Sequence, residues 1–260
     1  MRASDYDYLR PPFAAMAHRG GSAMPGNIGR ENTIAAFRAA VDLGIDYIET
    51  DVHATRDGHV VAFHDPVLER VCDSTGSIAD LTMAELSQVR VGGEPVPTID
   101  EVLDTFPGVR FNIDLKSAAA VRPLVDALAK HGAGTRVCVA SFSPARLWRF
   151  RRLTENRVAT AAGPVGVAAA SFAPWKIRAL RSPAPVWQMP INHEFAGQRW
   201  KLLSRSLVAE LHRAGKKIHI WTVDDPQTMH DLIDLSVDGI VTDRPDVLLQ
   251  VMSERGMRRP

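Results

Sequence analysis

Residues 31–52, ENTIAAFRAAVDLGIDYIETDV, join a helical pattern to a strand pattern, and this junction decides the fold class. The spacing of Ile34, Phe37 and Val41 places apolar side chains on one stripe, which predicts a helix over 31–43. The following YIETDV alternates between apolar and polar residues, as a strand with one buried face does. A helix that leads directly into a strand is typical of an α/β protein.

Short apolar runs that alternate with helical patterns extend this arrangement along the whole chain. Eight of them are predicted as strands: 14–17, 47–52, 111–115, 137–140, 157–161, 186–191, 217–222 and 239–242. Eight strand-then-helix units in about 250 residues predict a (β/α)8 TIM barrel of the α/β class. A doubly wound open sheet is the alternative, because periodicity does not show whether a sheet closes.

Helix start and stop signals support the same division of the chain. Thr82 and Thr98 are each followed three residues later by Glu, which is the spacing of a capping box. Ser143 and Asp225 each precede a proline, so a capping side chain stands before a residue that favours the first helical turn. Gly215 follows another apolar stripe and is predicted to end that helix in a left-handed conformation.

The sequence also predicts the domain organisation. Residues 1–13 form an N-terminal extension, and the barrel domain is expected to span 14–255. The chain between His64 and the strand at 111–115 is shorter than an ordinary domain. We therefore expect a single domain without a large insertion domain.

Composition excludes several classes of protein. The 260 residues include 31 Lys plus Arg against 30 Asp plus Glu, a net charge of +1, which argues against a dedicated nucleic-acid binder. The N-terminus carries Asp5 and Asp7 and has no apolar core of signal-peptide length. Residues 158–175 lack charge, but their Ala, Gly and Pro content is too weakly hydrophobic for a membrane span. Cys72 and Cys138 match no metal or redox spacing, so a reducing, cytoplasmic location is expected.

The strand at 47–52 carries the first candidate site. Side chains of a strand alternate between faces, so Glu49, Asp51 and His53 project to the same side. Two carboxylates this close on a dry face need a cation or a proton to relieve their repulsion. Their oxygens favour a hard ion, Mg²⁺ or Ca²⁺. The alternative is a solvated edge strand that binds nothing.

Two histidines follow predicted strands. The first strand ends in His18-Arg19-Gly20-Gly21, where the glycines would let a phosphate approach the backbone and the guanidinium together. A later apolar run ends in His64-Asp65. Each histidine alone is compatible with a structural role in a loop. As a pair beside a metal-bound phosphate, His18 and His64 are candidates for a general base and a general acid.

The strand at 111–115 repeats the alternating pattern. Asn112, Asp114 and Lys116 share one face, while the apolar residues between them pack on the other. Beside the carboxylates of the strand at 47–52, Asp114 would complete a three-carboxylate metal site and Lys116 would face the phosphate. A structural salt bridge between Asp114 and Lys116 is the alternative.

Together these segments resemble the glycerophosphodiester phosphodiesterase family, from residue 17 to about residue 248. Any one of them is a weak signal, whereas their shared order and spacing is specific. The matching segments are His18-Arg19-Gly20, Glu31-Asn32-Thr33, Glu49-Thr50-Asp51, His64-Asp65, Asp114-Leu115-Lys116, Trp221-Thr222-Val223 and residues 238–243.

The resemblance implies a (β/α)8 barrel and metal-dependent hydrolysis of glycerophosphodiesters to glycerol 3-phosphate and an alcohol. It implies that His18 and His64 are the acid–base pair and that a divalent cation is held by three carboxylates. The roles implied for the remaining residues are metal binding for Glu49, Asp51 and Asp114, phosphate binding for Arg19 and Lys116, and contact with the glycerol or alcohol for Trp221.

The chain departs from the family pattern at two positions. Asp114 stands where the family usually has Glu, and its side chain is shorter by about 1.5 Å, which is large against metal–oxygen distances of about 2.0–2.6 Å. Arg30 stands where a proline usually precedes Glu-Asn-Thr. Glu31 is predicted to orient Arg19.

Other hypotheses concern the substrate and its surroundings. The apolar stretch 164–175 would supply a groove for a longer lipid, so lysophospholipase D action at the same site is one alternative. A non-catalytic phosphodiester-binding protein is another. The segment 145–181 has a local excess of Arg and Lys, which indicates either a solvated basic face or peripheral contact with an anionic membrane through Trp175.

Overall fold

The computed structural model describes residues 1–177, 182–195 and 197–257. Eight parallel strands within these residues form one sheet. Their bounds are β1 Ala14–His18, β2 Tyr47–Ala54, β3 Arg110–Leu115, β4 Val137–Ala140, β5 Ala159–Thr160, β6 Val186–Met189, β7 Lys217–Ile220 and β8 Gly239–Thr242. Neighbouring strands in the sheet follow the order β5, β4, β3, β2, β1, β8, β7 and β6.

The two ends of this sheet meet just beyond β5. Ala161 forms a parallel bridge to Val186, and the Ala162 N–H donates to the Val186 carbonyl at 2.9 Å. The sheet is therefore a nearly closed barrel, and the predicted (β/α)8 fold is confirmed. The doubly wound alternative is wrong, because an open sheet would leave β5 and β6 as separate edges.

Helices surround the barrel. Those in the described part of the chain are α1 Ile34–Asp42, α2 Met83–Leu86, α3 Ile99–Thr105, α4 Val121–Lys130, α5 Pro144–Leu153, α6 Pro164–Phe172, α7 Arg205–Arg213, α8 Pro226–Asp234 and α9 Pro245–Glu254. Shorter pieces comprise the 3₁₀ turns Ala3–Asp5, Asp7–Leu9, Ile78–Asp80, Ala133–Arg136 and Pro174–Lys176 and the hairpin strands Val60–Ala62, Arg90–Val91, Glu94–Pro95, Asn192–Phe195 and Gln198–Lys201.

The predicted helix signals are present as hydrogen bonds. Thr98 accepts from the Glu101 N–H at 3.2 Å while the Glu101 carboxylate accepts from the Thr98 N–H at 2.7 Å, and Thr82 forms the same capping box. Thr33 caps α1, so this helix begins at Ile34 rather than at residue 31 as predicted.

Three predicted strands are shorter than expected. β5 contains only two residues, and its neighbour Ala161 pairs through an isolated bridge. β6 ends at Met189 because Pro190 has no N–H to donate to the ladder. β7 ends at Ile220, before the predicted limit of 222.

Between β2 and β3 the chain makes a short excursion rather than an insertion domain. The strand Val60–Ala62 turns back antiparallel onto β2 through a turn at Asp57-Gly58, where Gly58 has φ +87°. A small apolar cluster that includes Phe63, Ile78 and Leu86 holds the excursion together. The described part of the chain therefore agrees with the expectation of a single domain.

The N-terminal extension packs into the amino-terminal end of the barrel. Tyr8 is fully buried, its ring lies edge-on to Tyr47 at 5.2 Å between centroids, and the Tyr47 hydroxyl donates to the Tyr8 carbonyl at 2.5 Å. The Lys216 ammonium donates to the carbonyl oxygens of Met1 at 2.5 Å and Ala184 at 2.8 Å. These contacts make the extension part of the barrel core.

We expect Tyr8→Ala to lower the free energy of unfolding by about 3 kcal/mol, because it removes a fully buried ring from a packed core. Urea unfolding measures the difference. Asp7→Ala, an exposed change one residue away, is the matched control and should cost less than about 0.5 kcal/mol. Equal losses in the two variants would show that the extension does not contribute to the core.

Candidate active site

The strand register brings the predicted residues together at the carboxyl ends of the strands. His18 stands opposite Glu49 in the β1–β2 ladder, and Asp51 stands opposite Asp114 in the β2–β3 ladder. A cavity of about 780 Å³ opens at this end of the barrel. All the predicted site residues line it, namely His18, Arg19, Glu49, Asp51, His64, Asp114, Lys116 and Trp221.

Two cations compensate the most buried carboxylate. The Lys116 ammonium lies 3.0 Å from one Asp51 oxygen and 2.7 Å from Asp114, and Arg19 Nε lies 3.3 Å from the other Asp51 oxygen. The Asp51 side chain is only 2% exposed. Burial alone would raise the pKa of Asp51, but Lys116 and Arg19 outweigh it and lower that pKa. Asp51 is therefore held ionised.

Glu49 is relieved in a different way. Burial and the neighbouring Asp51 charge raise the pKa of Glu49 to about 8. The carboxylate accepts a hydrogen bond from the Arg19 backbone N–H at 3.2 Å and lies 3.7 Å from His18 Nε2. The repulsion expected between the two carboxylates of β2 is thus removed by cationic side chains at Asp51 and by a proton at Glu49.

The three carboxylates fit a hard cation by their chemistry. Asp114 keeps one buried oxygen without a hydrogen-bond partner, and a buried polar atom of this kind is costly unless a ligand meets it. Within the described residues, however, no three His, Cys, Asp or Glu side chains converge as a ready-made metal site. Lys116 lies between Asp51 and Asp114, so a cation bound there would displace its ammonium toward the cavity.

His18 is held by the end of the last barrel strand. Its Nδ1 lies 2.8 Å from Asp243, which also accepts from the Ser22 hydroxyl at 2.5 Å. Burial favours the neutral ring, but the negative charge that Glu49 carries when it is ionised and the Asp243 hydrogen bond outweigh it and raise the pKa of His18. Asp243 therefore orients the ring and leaves Nε2 as the nitrogen that faces Glu49.

His64 is held in a similar way. Its Nδ1 lies 2.6 Å from Asp65, and its carbonyl lies 3.0 Å from His53 Nε2. Asp65 in turn accepts from Arg70 Nε. The two predicted histidines thus share one geometry, in which a carboxylate holds Nδ1 and Nε2 is the remaining nitrogen.

Arg70 connects both halves of the site and was missed by the sequence analysis. Besides Asp65, it contacts both oxygens of Glu31 at 2.6 and 2.9 Å. Glu31 accepts from Arg19 at 3.0 Å, which is the orienting role predicted for it. No motif marks Arg70, because its partner Glu31 lies in another loop. Arg30, the departure from the family pattern next to Glu31, is exposed.

The structure explains the two glycines after His18 by close packing of the loop, whereas the sequence analysis predicted that they let a phosphate approach the backbone. Gly20 and Gly21 have φ near +87° and +84°, a region that side chains rarely adopt. A Cβ on Gly20 would lie 2.9 Å from the Phe37 ring, and one on Gly21 would lie 2.7 Å from Pro245. These glycines let the loop turn tightly over α1 and α9.

A neutral polar layer fills the barrel below the site. Gln188 donates to Asn112 at 2.8 Å and lies 3.4 Å from His219. Complete burial, assisted by Lys217, lowers the pKa of His219 to about 3. His219 is therefore neutral and adds no third titrating imidazole to the site.

The predicted basic segment does not present all its charges on one surface. Arg151 points inward and donates to the Thr160 hydroxyl at 2.8 Å and the Ala161 carbonyl at 2.9 Å, and Arg146 donates to the Leu115 carbonyl. Trp175 is exposed. Two further members of the predicted set, Arg178 and Arg181, lie outside the described residues. Membrane contact through this segment stays a prediction.

Comparison with known proteins defines the class of this chain. The model of the glycerophosphoryl diester phosphodiesterase family matches residues 18–247. A relative from Mycobacterium tuberculosis, a probable glycerophosphodiester phosphodiesterase 2, is 38% identical over 93% of this chain and 91% of its own length. A barrel with this site is that of a phosphoric diester hydrolase. The chain belongs to the glycerophosphoryl diester phosphodiesterase family, which confirms the predicted resemblance.

Solved structures support the fold. A putative glycerophosphoryl diester phosphodiesterase from Silicibacter pomeroyi superimposes with a TM-score of 0.81 at 22% identity, and the match covers 98% of this chain and 100% of that chain. An Oleispira antarctica phosphodiesterase, solved in complex with its product sn-glycerol 3-phosphate, has a TM-score of 0.77 at 23% identity and covers 92% and 96%.

Proposed function

We propose that this enzyme hydrolyses glycerophosphodiesters to glycerol 3-phosphate and an alcohol, with His18 and His64 as its acid–base pair. The observation that carries the proposal is the matched hydrogen bonding of the two imidazoles, each held at Nδ1 by a carboxylate at 2.8 and 2.6 Å and facing one cavity. The product bound to the Oleispira relative supports the same chemistry.

The two imidazoles divide the proton transfers. One accepts the proton of the attacking hydroxyl, and the other donates a proton to the oxygen of the leaving alcohol. Arg19 and Lys116 bind the phosphate, where their positive charges offset the negative charge that develops on its oxygens. Trp221 lies beside Phe142, with 6.0 Å between ring centroids, and flanks the organic part of the substrate.

Glu49, Asp51 and Asp114 would hold the divalent cation, Mg²⁺ or Ca²⁺. Such a cation supplies Lewis-acid stabilisation of the phosphate oxygens. The protein contributes the deprotonated oxygens: Asp51 is already ionised, and Glu49 must lose its proton. With a cation on these carboxylates, Lys116 would be free to interact with the phosphate instead of with Asp51 and Asp114.

Release of glycerol 3-phosphate from glycerophosphocholine tests the proposal. We expect release with Mg²⁺ or Ca²⁺ and none after addition of EDTA. Absence of release with either metal, in a protein that unfolds cooperatively, would overturn the proposed activity. That result would favour the alternative of a phosphodiester-binding protein.

Metal binding should depend on pH through Glu49. In the metal-free protein its folded pKa, about 8, lies above the ordinary value of 4.5, so the stability it contributes is complete at low pH and lost as pH rises through 8. A cation replaces the lost proton. We therefore expect the Mg²⁺-induced gain in unfolding free energy to grow between about pH 6 and about pH 9.

Thermal unfolding with Mg²⁺ and with EDTA at each pH measures this gain. In Glu49→Gln the side chain has no proton to lose, so the Mg²⁺-induced gain in unfolding free energy should depend less on pH. A wild-type gain that falls or stays constant as pH rises would contradict the metal role of Glu49.

We also propose a cytoplasmic location, which the two free cysteines support. Among the described residues, none of the helices has the length and apolar character needed to cross a membrane.

A further inference from the structure

Arg70 connects two loops that carry different parts of the proposed active site. It lies in the loop that follows Val60–Ala62, whereas Arg19 and Glu31 lie in the loop between β1 and α1. Its Nε donates to Asp65, and its two terminal nitrogens donate to the two Glu31 oxygens at 2.9 and 2.6 Å. One planar guanidinium therefore joins a carboxylate of one loop to a carboxylate of the other, which the single ammonium of a lysine could not do in the same geometry.

Each of the two carboxylates holds a group of the proposed active site. Asp65 lies 2.6 Å from His64 Nδ1, and Glu31 accepts from Arg19 at 3.0 Å. Burial alone would raise the pKa of Asp65 and that of Glu31. The hydrogen bonds that Arg70 donates are the largest opposing contribution at both carboxylates, and both pKa values are lowered. Both side chains are therefore ionised and act as acceptors only.

The loop that carries Arg70 has backbone contacts of its own. Leu68 is buried, and its N–H donates to the Gly76 carbonyl at 3.0 Å while its carbonyl accepts from the Cys72 N–H at 3.0 Å. The Arg70 side chain, by contrast, is 46% exposed. Its removal should therefore release Asp65 and Glu31 without unfolding the loop, and a small solute can reach the position of the guanidinium.

We propose that Arg70 is a positioning residue for the hydrolysis, because it holds the partners of His64 and of Arg19 in one arrangement around the phosphate. This rests on the proposed function, which assigns proton transfer to His64 and phosphate binding to Arg19. Release of Asp65 frees the imidazole to rotate and to change the nitrogen that carries its proton, which lowers kcat. Release of Glu31 leaves it paired with Arg19 alone, which draws positive charge away from the phosphate and raises KM.

Steady-state kinetics with glycerophosphocholine and Mg²⁺ tests the proposal. We expect Arg70→Ala to lower kcat by about 10- to 100-fold, as the loss of a residue that orients a directly acting group typically does, and to raise KM as well. Arg70→Lys keeps the charge but lacks the planar fork, so it should restore neither constant. A kcat loss below about threefold in Arg70→Ala, or full activity in Arg70→Lys, would overturn the proposal.

Arg56→Ala is the matched control. Arg56 is an exposed arginine of the same excursion and pairs with the exposed Glu85 at 3.3 Å. Its removal should leave kcat and KM within about twofold of the wild-type values. Urea unfolding of the Arg56 and Arg70 variants shows whether each is folded.

Rescue by the missing functional group distinguishes positioning from a general effect on the fold. Guanidinium chloride at about 20 mM, far below the molar concentrations that unfold proteins, should raise kcat of Arg70→Ala by about tenfold. Ammonium chloride at the same concentration should not, because its cation cannot donate to both carboxylates in the planar geometry. Equal recovery in the two salts, or recovery in neither, would contradict the proposed role of the guanidinium.

The imidazole signal of His64 separates this proposal from the proposed function. A proton–nitrogen correlation spectrum of the isotopically labelled protein, without substrate, reports the Nδ1 proton that faces Asp65, and His64→Gln assigns its signal. We expect this signal in the wild type and in Arg56→Ala but not in Arg70→Ala. That result supports positioning even if the wild type does not hydrolyse glycerophosphocholine, in which case only the proposed function fails. An unchanged signal in Arg70→Ala overturns positioning even if the wild type is active.

Discussion

His18→Ala is expected to lower kcat for glycerophosphocholine hydrolysis by about 10³-fold, because it removes one of the two imidazoles proposed to transfer protons. The ring is held by Asp243 at 2.8 Å and faces Glu49 at 3.7 Å. Its loss should alter KM much less than kcat, since the proposed phosphate ligands Arg19 and Lys116 remain. Steady-state kinetics with saturating Mg²⁺ measures both constants.

His59→Ala is the matched control. His59 is an exposed histidine in the turn after β2, and its removal should leave kcat within about twofold. Urea unfolding of both variants shows whether the fold is intact. A His18→Ala enzyme that keeps more than a tenth of wild-type kcat while folded would exclude His18 as an acid or base.

Lys116→Met is expected to lower the free energy of unfolding in EDTA by about 3 kcal/mol. Asp51 is nearly inaccessible to water, and the ammonium at 3.0 Å is one of the two cations that keep it ionised. With only Arg19 left, Asp51 must either remain partly uncompensated or take up a proton, and both are costly at neutral pH. Saturating Mg²⁺ should restore most of the loss, because the metal replaces the missing charge.

Lys130→Met is the matched control for the loss of unfolding free energy expected in Lys116→Met. Lys130 pairs with Asp100 at 2.8 Å on the surface, and exposed pairs contribute only about 0.2–1 kcal/mol. Urea unfolding of both variants with EDTA and with Mg²⁺ gives the four values needed. If the Lys116 variant lost no more than the Lys130 variant, or if Mg²⁺ restored nothing, Lys116 would not compensate the carboxylates proposed to bind the metal.

Much of the site is predictable because strands obey a simple rule. Alternation along β2 and β3 places Glu49, Asp51 and Asp114 on the face that the structure shows lining the cavity. Apolar neighbours such as Phe111 and Ile113 pack into the outer core, as predicted. The family resemblance then relates these residues to a phosphodiester substrate. Both the alternation and the resemblance depend only on the local order and spacing of residues.

Other features depend on contacts between distant parts of the chain. Asp243 holds His18 across 225 residues, and Arg70 holds Glu31 across 39. Asp243 lies in the matching segment 238–243, but no local pattern pairs it with His18 or marks Arg70. A single sequence contains no measure of such distances, because loop conformation decides which side chains meet.

The sequence by itself determined the alternation of eight strands with helices and the residues at the carboxyl ends of those strands, since periodicity and capping are local properties. Only the tertiary structure decided that the barrel closes, that Lys116 lies between two carboxylates and that α6 lines an apolar extension of the cavity. Closure and burial arise when segments far apart in the chain pack together. Closure of the barrel and burial of its side chains therefore decide which carboxylate carries a proton and how far the cavity extends beyond the proposed phosphate site.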